Sequence, residues 1–212
     1  MSLTVLLVIV TIAISLLAFS RPDLMSKWLF NPYLIFHNKQ YYRFISHAFI
    51  HDRNNLFHLL FNMFVLYQFG RNVEIYLIND HPKMGWIFFL LLYFGGIVFS
   101  SLRDFEKYKN NPNYNALGAS GAVSAELFAH ILIYPTTSLY LMFIPIPIPS
   151  FVFGALYLWL EGYLDKREGG HIAHGAHFYG AIFGFVFVLF TNFSLLPGFF
   201  NQIANYLGSF FS

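Results

Sequence analysis

The chain of 212 residues has no cysteine and very little charge. Without cysteine it can form no disulfide, thiolate nucleophile or cysteine-ligated metal site. Only 10% of its residues are Asp, Glu, Lys or Arg, whereas soluble domains have about 25%. This composition argues against a water-soluble enzyme, a disordered chain and a nucleic-acid binder. The formal net charge of +2 does not itself indicate a partner.

Apolar and aromatic residues take the place of the missing charge. Hydrophobic residues make up 57% of the chain and aromatic residues 21%. A soluble globule of this size would lack the polar surface to cover itself, so the predicted solvent is a lipid bilayer. Six membrane spans of about 20 residues each would use about 120 residues. Only short loops then remain, with no room for a second domain.

The predicted fold is all-α, a polytopic six-transmembrane-helix bundle with a long interfacial first loop. Residues 1–192 form the membrane domain, and 193–212 form an interfacial C-terminal tail that Pro197 and Gly198 interrupt. The alternating prolines of 145–149 predict an extended connection. A signal peptide is the alternative for the first span, but no basic residue precedes its apolar run. The predicted spans are 2–20, 56–76, 84–101, 117–134, 150–164 and 171–192.

Polar residues collect where spans two, four and six begin. Because successive spans alternate in direction, these three starts lie on one side of the membrane. Ionisable residues are costly in lipid, so such a cluster is a candidate site. Its members are His58, Asn62, Ser120, His171, His174 and His177.

Ser120 and His177 have the chemistry of a nucleophile and its base. A serine hydroxyl is a weak nucleophile until a base, usually histidine, takes its proton. The small neighbours Gly118 and Gly121 expose Ser120, and Gly180 suits close contact between the sixth and fourth spans. The nearest acid in span four, Glu126, lies roughly 9 Å deeper than Ser120. We therefore predict a Ser–His dyad with no third carboxylate.

Attack on an amide would also create an oxyanion that needs hydrogen-bond donors. The backbone N–H of Ser120 and the side chains of His58 and Asn62 are the candidates. His58 and Asn62 are four residues apart and therefore share one helix face.

Taken together, these motifs resemble the rhomboid family of intramembrane serine proteases over about residues 1–192. Each motif alone is weak, and their joint order is specific. The matching segments are Tyr42–Arg43, His47–His51, His58–Asn62, Gly70 with Glu74, Gly118–Gly121, and Ala176–Gly180 with Gly184.

The resemblance implies that Ser120 is the nucleophile, His177 the general base and acid, and His58 and Asn62 the oxyanion stabilisers. It also implies cleavage of single-span membrane proteins near the membrane surface, with no cofactor or metal. It places Arg43 in a boundary loop and gives Glu74 a role in holding the scaffold. A bacterial cytoplasmic membrane is the predicted location.

The chain departs from the family pattern in three ways. The family often has Trp before the arginine, and this chain keeps an aromatic residue there, Tyr42. The best-studied bacterial members have an aromatic residue four positions after the nucleophile, on which the histidine stacks. This chain has Ser124 there, so His177 must be oriented in another way. The family orientation also puts most cationic loops outside, whereas the positive-inside rule favours the reverse.

Other interpretations of the polar residues remain open. A metal could bind His47, His51 and Asp52, or His171 and His174, but a clear ligand set is lacking. Polar networks are therefore the preferred interpretation.

Two acids in the predicted spans also invite a structural interpretation. Glu126 and His130 are expected to be a hydrogen-bonded structural pair, although a proton path is conceivable. Glu161 is expected to reach the interface. The alternative functions are an inactive rhomboid-like protein that binds or escorts membrane proteins and, less favoured, a metal or proton transporter.

Overall fold

The computed structural model describes residues 2–141, 144–167 and 173–211. This part of the chain is mostly helical, as predicted. Its helices are α1 Leu3–Phe19, α2 Pro22–Trp28, α3 Pro32–Asn38, α4 Arg43–Ser46, α5 Leu56–Val65, α6 Arg71–Asp80, α7 Gly85–Tyr108, α8 Ser120–Ile133, α9 Ser150–Lys166, α10 His174–Thr191 and α11 Leu195–Gly208. A short 3-10 turn spans His47–Phe49, and a π-helical segment, Leu66–Gly70, joins α5 to α6.

Helix α8 is the centre of the structure. Every residue from Gly121 to Ile133 is buried, and α8 packs against α7, α9 and α10. Among the described helices, α7 and α10 are long and apolar enough to cross a membrane, and α1 and α8 are apolar but shorter. A helix that is buried all round must be apolar on every side, and the sequence of α8 meets this condition except at a few polar positions.

Glycines allow α10 to lie directly against α8. A methyl group at Gly180 would overlap the carbonyl oxygen of Gly121, and one at Gly184 would overlap that of Ala125. Small residues of this kind let two helix backbones approach closely. The contact fixes the start of α10 beside the start of α8.

Glu74 ties α6 to the N-terminus of α1. Its carboxylate accepts hydrogen bonds from the backbone N–H groups of Leu3 (2.7 Å) and Thr4 (3.0 Å), and from the hydroxyl groups of Ser2 (2.5 Å) and Thr4 (2.7 Å). These N–H groups have no partner within the helix, and a negative charge suits that end of the dipole. The carboxylate therefore anchors α1 to the bundle.

The segment between α1 and α5 is folded, with three short helices. The guanidinium of Arg43 donates to the backbone carbonyls of Ser26 (3.1 Å) and Leu29 (2.7 Å) and to Oε1 of Gln40 (2.6 Å). Backbone hydrogen bonds between Phe30 and Ala116 join this segment to the residues before α8. The first loop therefore supports the start of α8.

Two helices have ends that differ from the limits of the predicted spans. Helix α7 continues to Tyr108, seven residues beyond the predicted end of span three, because a helix can continue with polar residues once it leaves the apolar region. Helix α8 begins at Ser120 instead of residue 117, because Gly118 has a left-handed φ of +111° that does not fit a helix.

The structure adds detail to two further segments. The proline-rich connection is extended, as expected, but it forms an antiparallel two-stranded sheet of β1 Ser138–Leu141 and β2 Ile144–Pro149. The fold is thus not purely α-helical. The C-terminal tail forms α11, because Pro197 falls in the first turn, where a helix does not need its N–H.

Candidate active site

Ser120 is the first residue of α8, and the turn before it requires glycine. The backbone N–H of Gly118 donates to the carbonyl oxygen of His47 at 2.9 Å. A Cβ on Gly118 would lie 2.8 Å from Cε1 of His58, so both the positive φ and the space exclude a side chain. In the first turn of a helix, backbone N–H groups point outward without helical partners. Ser120 therefore carries its hydroxyl beside free donors.

His177 lies within hydrogen-bond distance of Ser120, as the sequence predicts. Nε2 of His177 is 2.8 Å from Oγ of Ser120. His177 is the fourth residue of α10, one turn before Gly180, whose contact with Gly121 holds the two helices together. The two side chains are 57 residues apart in the sequence, so the helix contact is what joins them.

A carboxylate also reaches His177, and the prediction that none would do so is wrong. Oε1 of Glu161, near the end of α9, lies 3.1 Å from Nδ1 of His177, and Oε2 lies 2.6 Å from Nδ1 of His174. Glu161 is 8% exposed and does not reach out to an interface as expected. Nothing in the sequence around Glu161 indicated that its carboxylate would point toward His177.

Ser124 of α8 and Tyr157 of α9 line the same cavity as His177. Oγ of Ser124 is hydrogen-bonded to the phenol oxygen of Tyr157 at 2.7 Å. Tyr157 is one helical turn before Glu161, so both project from one face of α9. The aromatic ring nearest to position 124 thus belongs to Tyr157 of α9, and Ser124, Tyr157 and His177 line the same cavity.

The two predicted oxyanion donors lie beside the nucleophile's turn. The ring of His58 packs against Gly118, and Nδ2 of Asn62 donates to the backbone carbonyl of His58 at 2.9 Å. One amide hydrogen of Asn62 is thus used within its own helix, and the same nitrogen also lies 3.5 Å from Nε2 of His51. Their role toward an oxyanion stays a prediction.

A cavity of about 440 Å³ opens beside these side chains. It extends between α5, α8 and α9 toward the β-hairpin, with a mainly apolar wall. Such a cavity, apolar with a few convergent polar groups, is typical of a substrate site. Its polar lining includes His58, Asn62, Ser120, Ser124, Tyr157, Glu161 and His177.

The histidines of the first loop form polar contacts within the protein. Nε2 of His47 lies 3.2 Å from Oγ of Ser101, and Nδ1 of His51 lies 3.0 Å from Oγ of Ser15. Burial lowers the pKa of each imidazole to about 3, and for His51 the nearby His58 adds to the effect. These contacts fit the preferred interpretation of a polar network.

One group of described side chains has the composition of a metal site. One ligand atom from each of Glu161, His174 and His177 lies within 4.8 Å of the others. In the structure both carboxylate oxygens are instead hydrogen-bonded to the imidazoles. His171, which the sequence placed in a possible metal pair with His174, lies outside the described residues.

The expected hydrogen bond between Glu126 and His130 is absent. Both side chains are buried, and within the described part of the chain neither has a hydrogen-bond partner. The imidazole packs instead against the rings of Phe69 (4.9 Å between centroids) and Tyr134 (5.1 Å). A separation of four residues on a helix brings side chains to one face but does not require that they touch.

Comparison with known proteins assigns the chain to a class. Residues 38–192 match the family described as Rhomboid domain, and they include every residue of the site above. The chain therefore belongs to the rhomboid family, whose members are membrane proteins. It is similar to RHOMBOID-like protein 12, mitochondrial, of Arabidopsis thaliana, with 30% identity over 149 residues. The match covers 65% of this chain and 42% of that protein, so the chain spans about two fifths of its relative.

Proposed function

We propose that this rhomboid-family chain is an intramembrane serine endopeptidase that cleaves single-span membrane proteins near the membrane surface. The observation that carries the proposal is the 2.8 Å contact between Oγ of Ser120 and Nε2 of His177. The pair faces a cavity large enough for an extended peptide segment. Family membership alone does not require activity, whereas this pairing is what hydrolysis needs.

The proposed reaction follows from these atoms. His177 Nε2 takes the proton of the Ser120 hydroxyl as Oγ bonds to the carbonyl carbon of the substrate. The resulting oxyanion accepts hydrogen bonds from the Ser120 N–H and from His58 and Asn62. His177 then protonates the amine as the C–N bond breaks. Water, deprotonated by His177, cleaves the acyl-enzyme and regenerates Ser120.

We further propose that six helical segments cross the membrane. These are α1, the continuous α5–α6 segment, α7, α8, α9 and α10. Helix α8 has 14 residues and is about 21 Å long, against a hydrocarbon core of about 30 Å. If α8 is centred in the bilayer, Ser120 lies below the surface, where the cavity admits water. The location in a bacterial cytoplasmic membrane stays a prediction.

The proposal can be tested with purified protein in liposomes. The substrate is a fluorescent single-span model protein with small residues at the membrane boundary. Ser120→Ala should abolish its cleavage without changing the melting temperature. Ser194→Ala, the same change at an exposed position before α11, serves as the control and should cleave normally. Equal cleavage by wild type and Ser120→Ala would refute a serine mechanism.

The inactive alternative remains an outcome of the same experiment. A chain that binds the model protein in liposomes but never cleaves it would be a binding or escort protein. No contact in the described structure specifically favours that outcome over catalysis.

A further inference from the structure

We infer that Glu161 is a positioning residue that completes a Ser–His–Glu arrangement. The inference rests on the proposed function and extends the two-residue mechanism that the sequence predicts. Glu161 lines the cavity but acts on the reaction through its hydrogen bond to His177, with no contact to the reacting atoms. Its carboxylate comes from α9, whereas the nucleophile comes from α8 and the base from α10.

The first step is the position of the proton on His177. Nε2 must accept the hydrogen of Ser120, so the neutral imidazole must carry its own hydrogen on Nδ1. A carboxylate can only accept hydrogen bonds. The contact of 3.1 Å between Nδ1 and Oε1 of Glu161 therefore selects the tautomer that catalysis needs.

The second step is the fixed position of the carboxylate. Its other oxygen, Oε2, lies 2.6 Å from Nδ1 of His174. The planes of the His174 and His177 rings make an angle of 81°. The carboxylate therefore accepts from two rings of different orientation, which restricts its own rotation. A side chain held at both oxygens and 8% exposed loses little entropy when it supports His177.

The third step is the charge that forms during the reaction. When His177 takes the serine proton it becomes an imidazolium, and a neighbouring carboxylate stabilises that cation. The carboxylate stays ionised, and the proton shuttles only between Oγ, Nε2 and the leaving amine. Because Glu161 is buried, this interaction is stronger than it would be in water.

The fourth step is the residue at position 124. A small serine there cannot support an imidazole by stacking. Its hydroxyl is bound to Tyr157, which lies one turn before Glu161 on α9. The face of α9 that fills this space also delivers the carboxylate, so α9 supplies the orientation of His177.

Labelling kinetics with a fluorophosphonate probe test the inference on the full chain in detergent. The probe reacts as Oγ of Ser120 bonds to phosphorus and fluoride leaves. Glu161→Gln places an amide against Nδ1 that can donate a hydrogen and favour the wrong tautomer. We expect the maximal labelling rate to fall at least about 100-fold, while the concentration for half-maximal rate changes less than about twofold. Loss of triad carboxylates elsewhere has larger effects still.

Glu126→Gln is the matched control, because it makes the same change at another buried carboxyl outside the cavity. It should leave the labelling kinetics unchanged. A merely structural role for Glu161 predicts instead a lower melting temperature and a weaker probe affinity with an unchanged maximal rate, which would overturn the inference.

Nitrogen-15 spectra of histidine-labelled protein provide a second test that needs no stable Glu161 variant. The His177 signals are identified as those lost in His177→Gln. We expect hydrogen on Nδ1 in the wild type; hydrogen on Nε2 would overturn the inference. If the wild type labels at Ser120 and Glu161→Gln labels equally fast, only this inference fails. If the wild type does not label at Ser120, the proposed function fails, and the spectra still decide the role of Glu161.

Discussion

A methyl group at the contact between α8 and α10 should separate these two helices, and the structure indicates by how much. A methyl at Gly180 would overlap the carbonyl oxygen of Gly121 and lie 3.0 Å from its carbonyl carbon, where ordinary contacts begin at 3.4 Å. Because both sides are backbone, the helices must separate, by roughly 1 Å. The Ser120–His177 distance of 2.8 Å would then exceed hydrogen-bonding range.

Gly180→Ala should therefore affect both catalysis and stability. A misplacement of about 1 Å in a catalytic geometry costs on the order of 100-fold in rate, and overpacking costs about 1–3 kcal/mol. Fluorophosphonate labelling measures the first and thermal unfolding in detergent the second. Gly198→Ala is the matched control, since a Cβ there meets nothing within 4 Å. Wild-type labelling and melting of Gly180→Ala would refute the account of this contact.

Three further predictions concern the scaffold. Glu74→Ala removes the hydrogen bonds that hold α1 and should cost about 2–4 kcal/mol, measured by thermal unfolding; an unchanged melting temperature would contradict this. In Gly118→Ala the added methyl group would contact His58, and alanine disfavours the positive φ of this position. The change should lower stability by about 1–3 kcal/mol and slow probe labelling. Normal labelling would show that the turn tolerates a side chain. Because burial lowers the pKa of His51 to about 3, the unfolded chain binds a proton that the folded chain does not between pH 6.5 and 3. Melting temperature should fall as pH drops through this window, and less steeply in His51→Asn; identical slopes would exclude His51 as a cause.

The meeting of Ser120 and His177 was predictable because it depends on topology. Alternating helices put their starts on one side, and the glycine spacing of α10 predicts the close contact with α8. The alternation of the spans and the glycine spacing can both be recognised in a single sequence. A role for Glu74 in holding the scaffold was expected only through the family resemblance, and its contact with the start of α1 was not predicted, since no spacing rule joins residues 70 positions apart.

The carboxylate beside His177 could not be predicted in the same way. Glu161 lies near the end of a helix, shortly before Asp165 and Lys166. Acidic residues at such a position usually face the membrane–water interface. Its inward direction depends on the rotation of α9, which the packing of Tyr157 against Ser124 sets. The absence of an aromatic residue at position 124 indicated that another group must orient His177. It did not indicate which group.

Two helix ends differ from the predicted span limits. The polar residues after 101 mark the end of the predicted third span, whereas α7 continues to Tyr108, and Asp104 accepts a hydrogen bond from the hydroxyl of Tyr114 at 2.6 Å. At α8 the left-handed Gly118 delays the helix until Ser120. In both places a single tertiary or backbone feature overrides the hydropathy pattern.

Activation of Ser120 by His177 is the step on which the proposed function depends. Its most direct test is mass-spectrometric mapping of the fluorophosphonate adduct on the wild-type chain in liposomes. We expect one adduct, on Ser120, that is lost in both Ser120→Ala and His177→Ala while their folds persist. An adduct on another residue, or undiminished labelling of His177→Ala, would contradict it.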